Sequence, residues 1–179
     1  MKLRVKGRKM RELADLDKET LLGLLRDAAL NWLTHDGLWF RAVEETFGME
    51  AAIRLDKMAW AQFTVIEARR IIKRLNLPAN GGLEALALAL RFRLYARINE
   101  QAIVELNSRR CVFEMRTCRV QEARQRQGLP DFPCREVGLV EYSGFAQTID
   151  PRITTRCLFC PPDPHPAEAW CRWEFRLEG

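Results

Sequence analysis

The sequence predicts an α+β fold: a helical N-terminal half followed by a small antiparallel sheet of about four strands with helices inserted in it. Two observations predict it. Residues 17–95 carry apolar side chains at helical spacing, broken by turn chemistry. From Ala102 onward the period drops to two in four short runs, which two helical stretches divide into pairs.

Asp17 is placed to cap a first helix that runs to about Leu33, with Leu21, Leu22, Leu24, Leu25, Ala28, Ala29 and Trp32 on a broad apolar face. His35-Asp36-Gly37 is expected to break it, with Asp36 capping a short second helix from Leu38 to Phe47 that Gly48 stops. Met49 to Leu75 is the longest segment, apolar over so much of its circumference that a central, largely buried helix is expected. Leu77 to Gly82 is a turn, and Leu83 to about Tyr95 a further helix. Ala102, Val104 and Leu106 alternate with Ile103, Glu105 and Asn107, and Cys111, Phe113 and Met115 alternate with Val112, Glu114 and Arg116, so these runs form a hairpin turning near Ser108. Helices follow over Cys118–Gln127 and Cys134–Ile149. Ile153–Phe159 and Trp170–Leu177 form a second hairpin across the proline-rich loop Pro161–Pro166.

One domain is expected over 17–179, with halves 17–95 and 96–179, behind a basic tail, 1–16. The chain has 179 residues, 47% hydrophobic and 30% charged, which are globular values. Six of its 29 basic residues fall in the first eleven positions, leaving 23 basic against 24 acidic residues in the body. The net charge of +5 thus belongs to the tail. Such a tail can hold nucleic acid or be a solvated terminus. No basic-aromatic pattern continues inward, so nucleic-acid binding ranks last among the functions considered. No apolar run approaches the roughly 20 residues of a membrane span, and the N-terminus lacks the apolar core of a secretory signal. A cytoplasmic location without membrane attachment is the expectation.

The six cysteines are Cys111, Cys118, Cys134, Cys157, Cys160 and Cys171. In a reducing compartment they suit metal binding or burial better than disulfides. Cys157-Leu158-Phe159-Cys160 has the C-x2-C spacing that grips one metal ion through a tight turn, and tetrahedral zinc wants two more ligands. Strand parity makes Cys157 and Cys171 expected cross-strand neighbours, with Cys160 curling back from the strand end. His165, Cys134 and Cys118 compete for the fourth place. Four thiolates also suit an iron–sulfur cluster. Cys111, on an apolar strand face, is read as a small core residue.

The segment from Pro133 to Phe175 resembles the C-terminal part of the V4R (4-vinyl reductase) domain family, which includes phenol-sensing domains of bacterial transcription activators. The likeness lies in Pro133-Cys134 opening a helix, Gly138 through Tyr142-Ser143-Gly144-Phe145, Thr154-Thr155-Arg156-Cys157, and Cys171-Arg172-Trp173 on the last strand. The resemblance implies zinc ligation by Cys134, Cys157 and Cys171, a small-molecule ligand and, by analogy, a homodimer. Thr154 stands where the family has a ligating glutamate. Cys160, absent from the family pattern, would complete an all-thiolate set. The family of hydrolases acting on L-2-amino-thiazoline-4-carboxylate is a more distant likeness, in its helix-then-sheet layout and C-terminal cysteines.

Trp32 to Phe40 sets His35 and Asp36 among large aromatics, and the long helix carries Asp56, Trp60, Phe63, Glu67 and Arg70. Glu67 and Arg70 are expected to pair at i, i+3, and Asp56 to find a partner across helices. A mostly apolar ligand pocket would use His35, Trp39, Trp60 and Glu67. A hydrolase would use His35 as general base, oriented by Asp36 or Glu67. The sequence has no nucleophile elbow, no HExxH and no phosphate loop.

Overall fold

The computed structural model describes residues 12–178, together with the backbone of two two-residue strands, β1 (Arg4–Val5) and β2 (Arg8–Lys9), which pair with each other. The remainder of the basic tail, on which the nucleic-acid expectation rests, lies outside the described residues. The main elements are α1 (Lys18–Phe47), α2 (Met49–Leu75), α3 (Gly82–Leu90), β3 (Gln101–Leu106), β4 (Arg110–Met115), α4 (Arg119–Arg126), α5 (Arg135–Ile149), β5 (Ile153–Phe159) and β6 (Cys171–Leu177). The predicted α+β class is the observed one: helices dominate the first half, and a four-stranded sheet of order β3-β4-β6-β5, antiparallel throughout, follows.

The expected break at His35-Asp36-Gly37 does not occur. α1 is a single helix of 30 residues, capped by Asp17, whose carboxylate accepts from the Thr20 N–H at 2.8 Å. A glycine inside a helix costs only about 1 kcal/mol, and the burial of Ala29, Leu33 and Val43 on either side of the trio outweighs it. Asp36 therefore caps nothing. Gly48, at φ 84°, makes the corner between α1 and α2. α2 is less buried than expected: one stripe, including Ala52, Trp60, Thr64, Ala68 and Ile71, faces the protein, while Leu55, Met58 and Ile66 are exposed.

Strand alternation builds the core. Cys111, Phe113 and Met115 of β4 stand opposite Phe175, Trp173 and Cys171 of β6, and this face packs on Tyr142, Phe145, Ala146 and Ile149 of α5 and on Leu83, Leu86 and Leu90 of α3. The other face carries ion pairs between and along the strands. Glu174 meets Arg110 at 2.5 Å and Arg176 at 3.1 Å, and Glu114 pairs with Arg172.

Two glycines let the layers approach. A Cβ on Gly138 would lie 2.6 Å from the Trp173 ring, and one on Gly144 would lie 2.8 Å from Thr64 Cγ2. The same crossing of α2 and α5 is fastened by the Thr64 hydroxyl, which donates to the Glu141 carbonyl at 2.8 Å. Asp150, fully buried at the end of α5, accepts from the Gly82 N–H at 3.1 Å and from Arg152, so one carboxylate ties the start of α3 to the end of α5.

Candidate functional site

Four cysteines distant in sequence meet at one end of the sheet. Cys134 is the N-cap of α5, Cys157 lies near the end of β5, Cys160 follows that strand and is buried, and Cys171 opens β6. Cys134 Sγ and Cys160 Sγ are 3.1 Å apart. Hydrogen bonding with Cys134, then with Cys157 and Cys171, together with burial, pushes the Cys160 thiol far above its ordinary range. The Cys157 thiol is held below its ordinary range by its hydrogen bond with Cys160 and, to a lesser degree, by the Arg135 charge. Two N–H donors point at the other sulfurs of the cluster: Gln121 Nε2 lies 3.7 Å from Cys134 Sγ, and Trp173 Nε1 lies 3.2 Å from Cys171 Sγ. N–H donors and a helix N-terminus both favour thiolate, the form that ligates metal.

Four thiols of this kind suit a soft divalent ion in their chemistry. Their spacing is that of thiols in mutual contact. A tetrahedron with Zn–S bonds of about 2.3 Å sets its sulfurs about 3.8 Å apart, wider than the Cys134–Cys160 pair. Among the described residues, no group of three or more His, Cys, Asp or Glu side chains is arranged around an ion as they stand. The expected direct pairing of Cys157 with Cys171 does not occur either. Cys157 stands opposite Trp173, and a register shift between Cys157 and Phe159 carries Cys171 past the end of the regular ladder, next to Met115. Cys118 lies close enough to Cys171 and Cys134 to feel both, but burial is the main reason its thiol is raised. His165 stacks on Trp170 at 4.9 Å, with Nδ1 3.1 Å from the Pro166 carbonyl. Cys111 is a core residue with no exposed surface.

Above the sulfurs is a cavity of about 530 Å³. Cys134, Cys160, Cys171 and Trp173 form its floor, α5 contributes Gly138, Glu141 and Tyr142, α1 contributes Asp36 and Phe40, and α2 contributes Asp56 and Trp60. Tyr95 and Phe132 complete an aromatic wall, where Trp60 and Tyr95 stack with centroids 5.9 Å apart and Phe40 meets Phe132 edge-on at 4.9 Å. Volume and lining are those of a small-molecule site.

Charge in the helical wall is organised around Arg93, which is only 2% exposed. Its Nε donates to Glu67 at 2.9 Å, its Nη1 lies 2.6 Å from Glu141 Oε1, and its guanidinium covers the Phe145 ring at 4.6 Å. The expected Glu67–Arg70 pair is thus replaced. Glu67 turns inward to Arg93 and to the Leu94 N–H at 3.0 Å, and Arg70 is exposed. Among the described residues, Asp56 finds no cation across the helices. Burial raises its carboxyl to about 7, and the Asp36 and Glu141 charges add to the rise, while the Trp60 indole opposes it by hydrogen bonding. Asp36 and Glu141 are also raised, in both cases chiefly by burial, which for Glu141 outweighs the pull of Arg93.

Of the residues expected in the pocket, Trp60 lines the cavity, whereas His35, Trp39 and Glu67 do not; Asp36, expected as a cap or an orienting carboxylate, lines it as well. Because α1 continues through this region, His35 falls on its exposed side and Trp39 is 66% exposed. Glu67 lies behind the wall on Arg93. Sequence reasoning missed Tyr95, Glu141, Tyr142 and Trp173 as lining residues. The available signal was a charge within an apolar stretch, as in Leu90-Arg91-Phe92-Arg93-Leu94 and Val137-Gly138-Leu139-Val140-Glu141-Tyr142.

Residues 13–177 match a family of unknown function (DUF6125). The chain belongs to that family. No curated protein matches it. Among solved structures, it is similar to the crystal structure of the phenol-responsive sensory domain of the transcription activator PoxR with phenol, at a TM-score of 0.51 and 15% identity, covering 96% of this chain and 78% of that one. At that identity the likeness is one of fold. Among the described residues, no helix is long and apolar enough to cross a membrane.

Proposed function

We propose that this chain is a sensor-like domain that holds a small apolar or aromatic molecule in the 530 Å³ cavity, related to the V4R domains that its segment from Pro133 to Phe175 resembles. The observation that carries this reading is the position of the cavity, walled by Trp60, Tyr95, Phe40 and Phe132 and floored by cysteines. The fold shared with a phenol-responsive sensory domain supports it. A zinc ion held by Cys134, Cys157, Cys160 and Cys171 is part of the proposal. These residues would tie the start of α5 to β5 and β6, and a four-thiolate site has no open position for water, so its role is to brace the floor.

Two measurements test the two halves separately. Metal analysis of the purified chain is expected to give about one zinc per chain, lost in Cys134→Ser. Iron with acid-labile sulfide would replace zinc by a cluster, and no metal at all would remove the brace. A thermal-shift screen of phenols and other small aromatics is expected to find stabilising compounds. No stabilisation by any of them would remove the ligand. The hydrolase reading has lost its base, since His35 is exposed and outside the cavity. Pairing of two chains belongs to the same proposal. Leu21, Leu22, Leu24 and Leu25 are exposed in the first turns of α1, and Leu22→Glu with Leu25→Glu is expected to shift a dimer to monomer in sedimentation.

A further inference from the structure

Three carboxylates converge on the cavity from three helices: Asp36 from α1, Asp56 from α2 and Glu141 from α5. They are near enough for Asp56 to feel the other two. The guanidinium beside Glu141, Arg93, is shared with Glu67, and the imidazole of His35 lies beside Asp36. Among the described residues Asp36 and Asp56 form no ion pair, and Glu141, 7% exposed, is held through Oε1 by Arg93 Nη1 at 2.6 Å. Of the arginines that line the cavity, Arg124 pairs with Glu44, Arg126 with Glu122, Arg119 donates to the Ile98 carbonyl, and Arg41 pairs with Glu45 through Nη2 while its Nε and Nη1 make no hydrogen bond. Buried negative charge left this short of partners is costly to a fold. A ligand that brings the missing charge removes the cost.

We propose that the ligand of this cavity is an organic cation, an arylalkyl amine in its protonated form, whose ammonium sits among Asp36, Asp56 and Glu141 beside the rings of Trp60 and Tyr95. The inference rests on the reading of the cavity as a ligand site and names the ligand's charge. Aromatic faces and carboxylates together are the recognised chemistry for an ammonium group. A bare metal ion is the poorer occupant, because the carboxylates are not disposed around a common point and the space, about 530 Å³, is that of an organic molecule. The Trp60 indole N–H, one turn along α2, holds the Asp56 carboxylate at the wall. An anionic ligand would meet the carboxylates head-on.

The test is calorimetric titration of the full chain with three probes of one shape: 2-phenylethylammonium, 2-phenylethanol and phenylacetate, at about pH 8, where free carboxyls are ionised. The cation is expected to bind about tenfold more tightly than the alcohol, with phenylacetate weakest. Added salt is expected to narrow the gap. Asp56→Asn is expected to abolish most of the preference, and Asp36→Asn gives the same readout should the first variant fail to fold. The alcohol binding as well as the cation, or a preference that survives both substitutions, overturns the inference and leaves the cavity as a site for neutral molecules. If no probe of the three binds the unaltered chain, both the inference and the cavity reading fail.

Discussion

The outer face of the sheet and the helical wall of the cavity treat charge in opposite ways. On the sheet, Glu174 lies under Arg110 and Arg176, and Glu114 under Arg172 and Arg116, so each acid has two bases. In the helical wall Glu67 and Glu141 share Arg93, Asp36 has His35 beside it, and Asp56 has no base among the described residues. The sheet pairs support the fold. The helical acids cost stability, and that cost marks the region where something other than the fold determines the residue.

Removing the one base of the helical wall is the strongest way to break this contrast. Arg93→Ala strands Glu67 and Glu141 in the interior and is expected to cost about 3–5 kcal/mol, read as a lower midpoint in urea denaturation. Asp56→Asn acts in the other direction. The folded carboxyl, raised to about 7, binds its proton more tightly than the unfolded one. The chain therefore loses stability as pH rises from about 4 to about 7, and the penalty is complete above that. At about pH 8 the substitution is expected to stabilise by about 2–3 kcal/mol, with the gain gone below about pH 4, followed by thermal denaturation. Asp36 and Glu141, also raised and facing the same space, steepen the parent's decline.

Where the two regions touch, Gly138→Ala drives a methyl group into the Trp173 ring and is expected to cost about 2 kcal/mol in the same assay. Glu174→Gln is the mildest change and sharpens the comparison most, with an expected loss of about 1–2 kcal/mol. Its two arginines, Arg176 first, hold the Glu174 carboxyl below its ordinary range. Its contribution is therefore present above the unfolded carboxyl range and disappears on acidification. A pH profile in which Glu174→Gln and Asp56→Asn moved together would undo the contrast.

Legibility in the sequence follows the same division. Period-two alternation located all four strands of the sheet within a residue or two, because alternate side chains turn to the side of α5 and α3 and to the ion-paired side of the sheet. The turn at Leu77–Gly82 and the end of the Cys134–Ile149 helix were equally plain. The trio His35-Asp36-Gly37 misled, because a local breaker was weighed without the packing of Leu33 and Val43 on either side. The cysteines could be picked out by spacing. The register that sets Cys157 opposite Trp173 could not, since it depends on the shift in the ladder. The partner of Glu67 lies 26 residues away rather than three, and the acids of the cavity come from three helices. Only tertiary structure brings such residues together.

Trp173 stands between the two halves of the proposed site. Its ring lies against Gly138 and lines the cavity, its N–H reaches the Cys171 sulfur at 3.2 Å, and its strand partner is Cys157. Indole emission is sensitive both to a neighbouring sulfur's charge and to what fills the adjacent space. The protein therefore carries an optical probe wired to two events, and a variant retaining this indole as its sole tryptophan would separate a change below it from a change above it by colour and intensity.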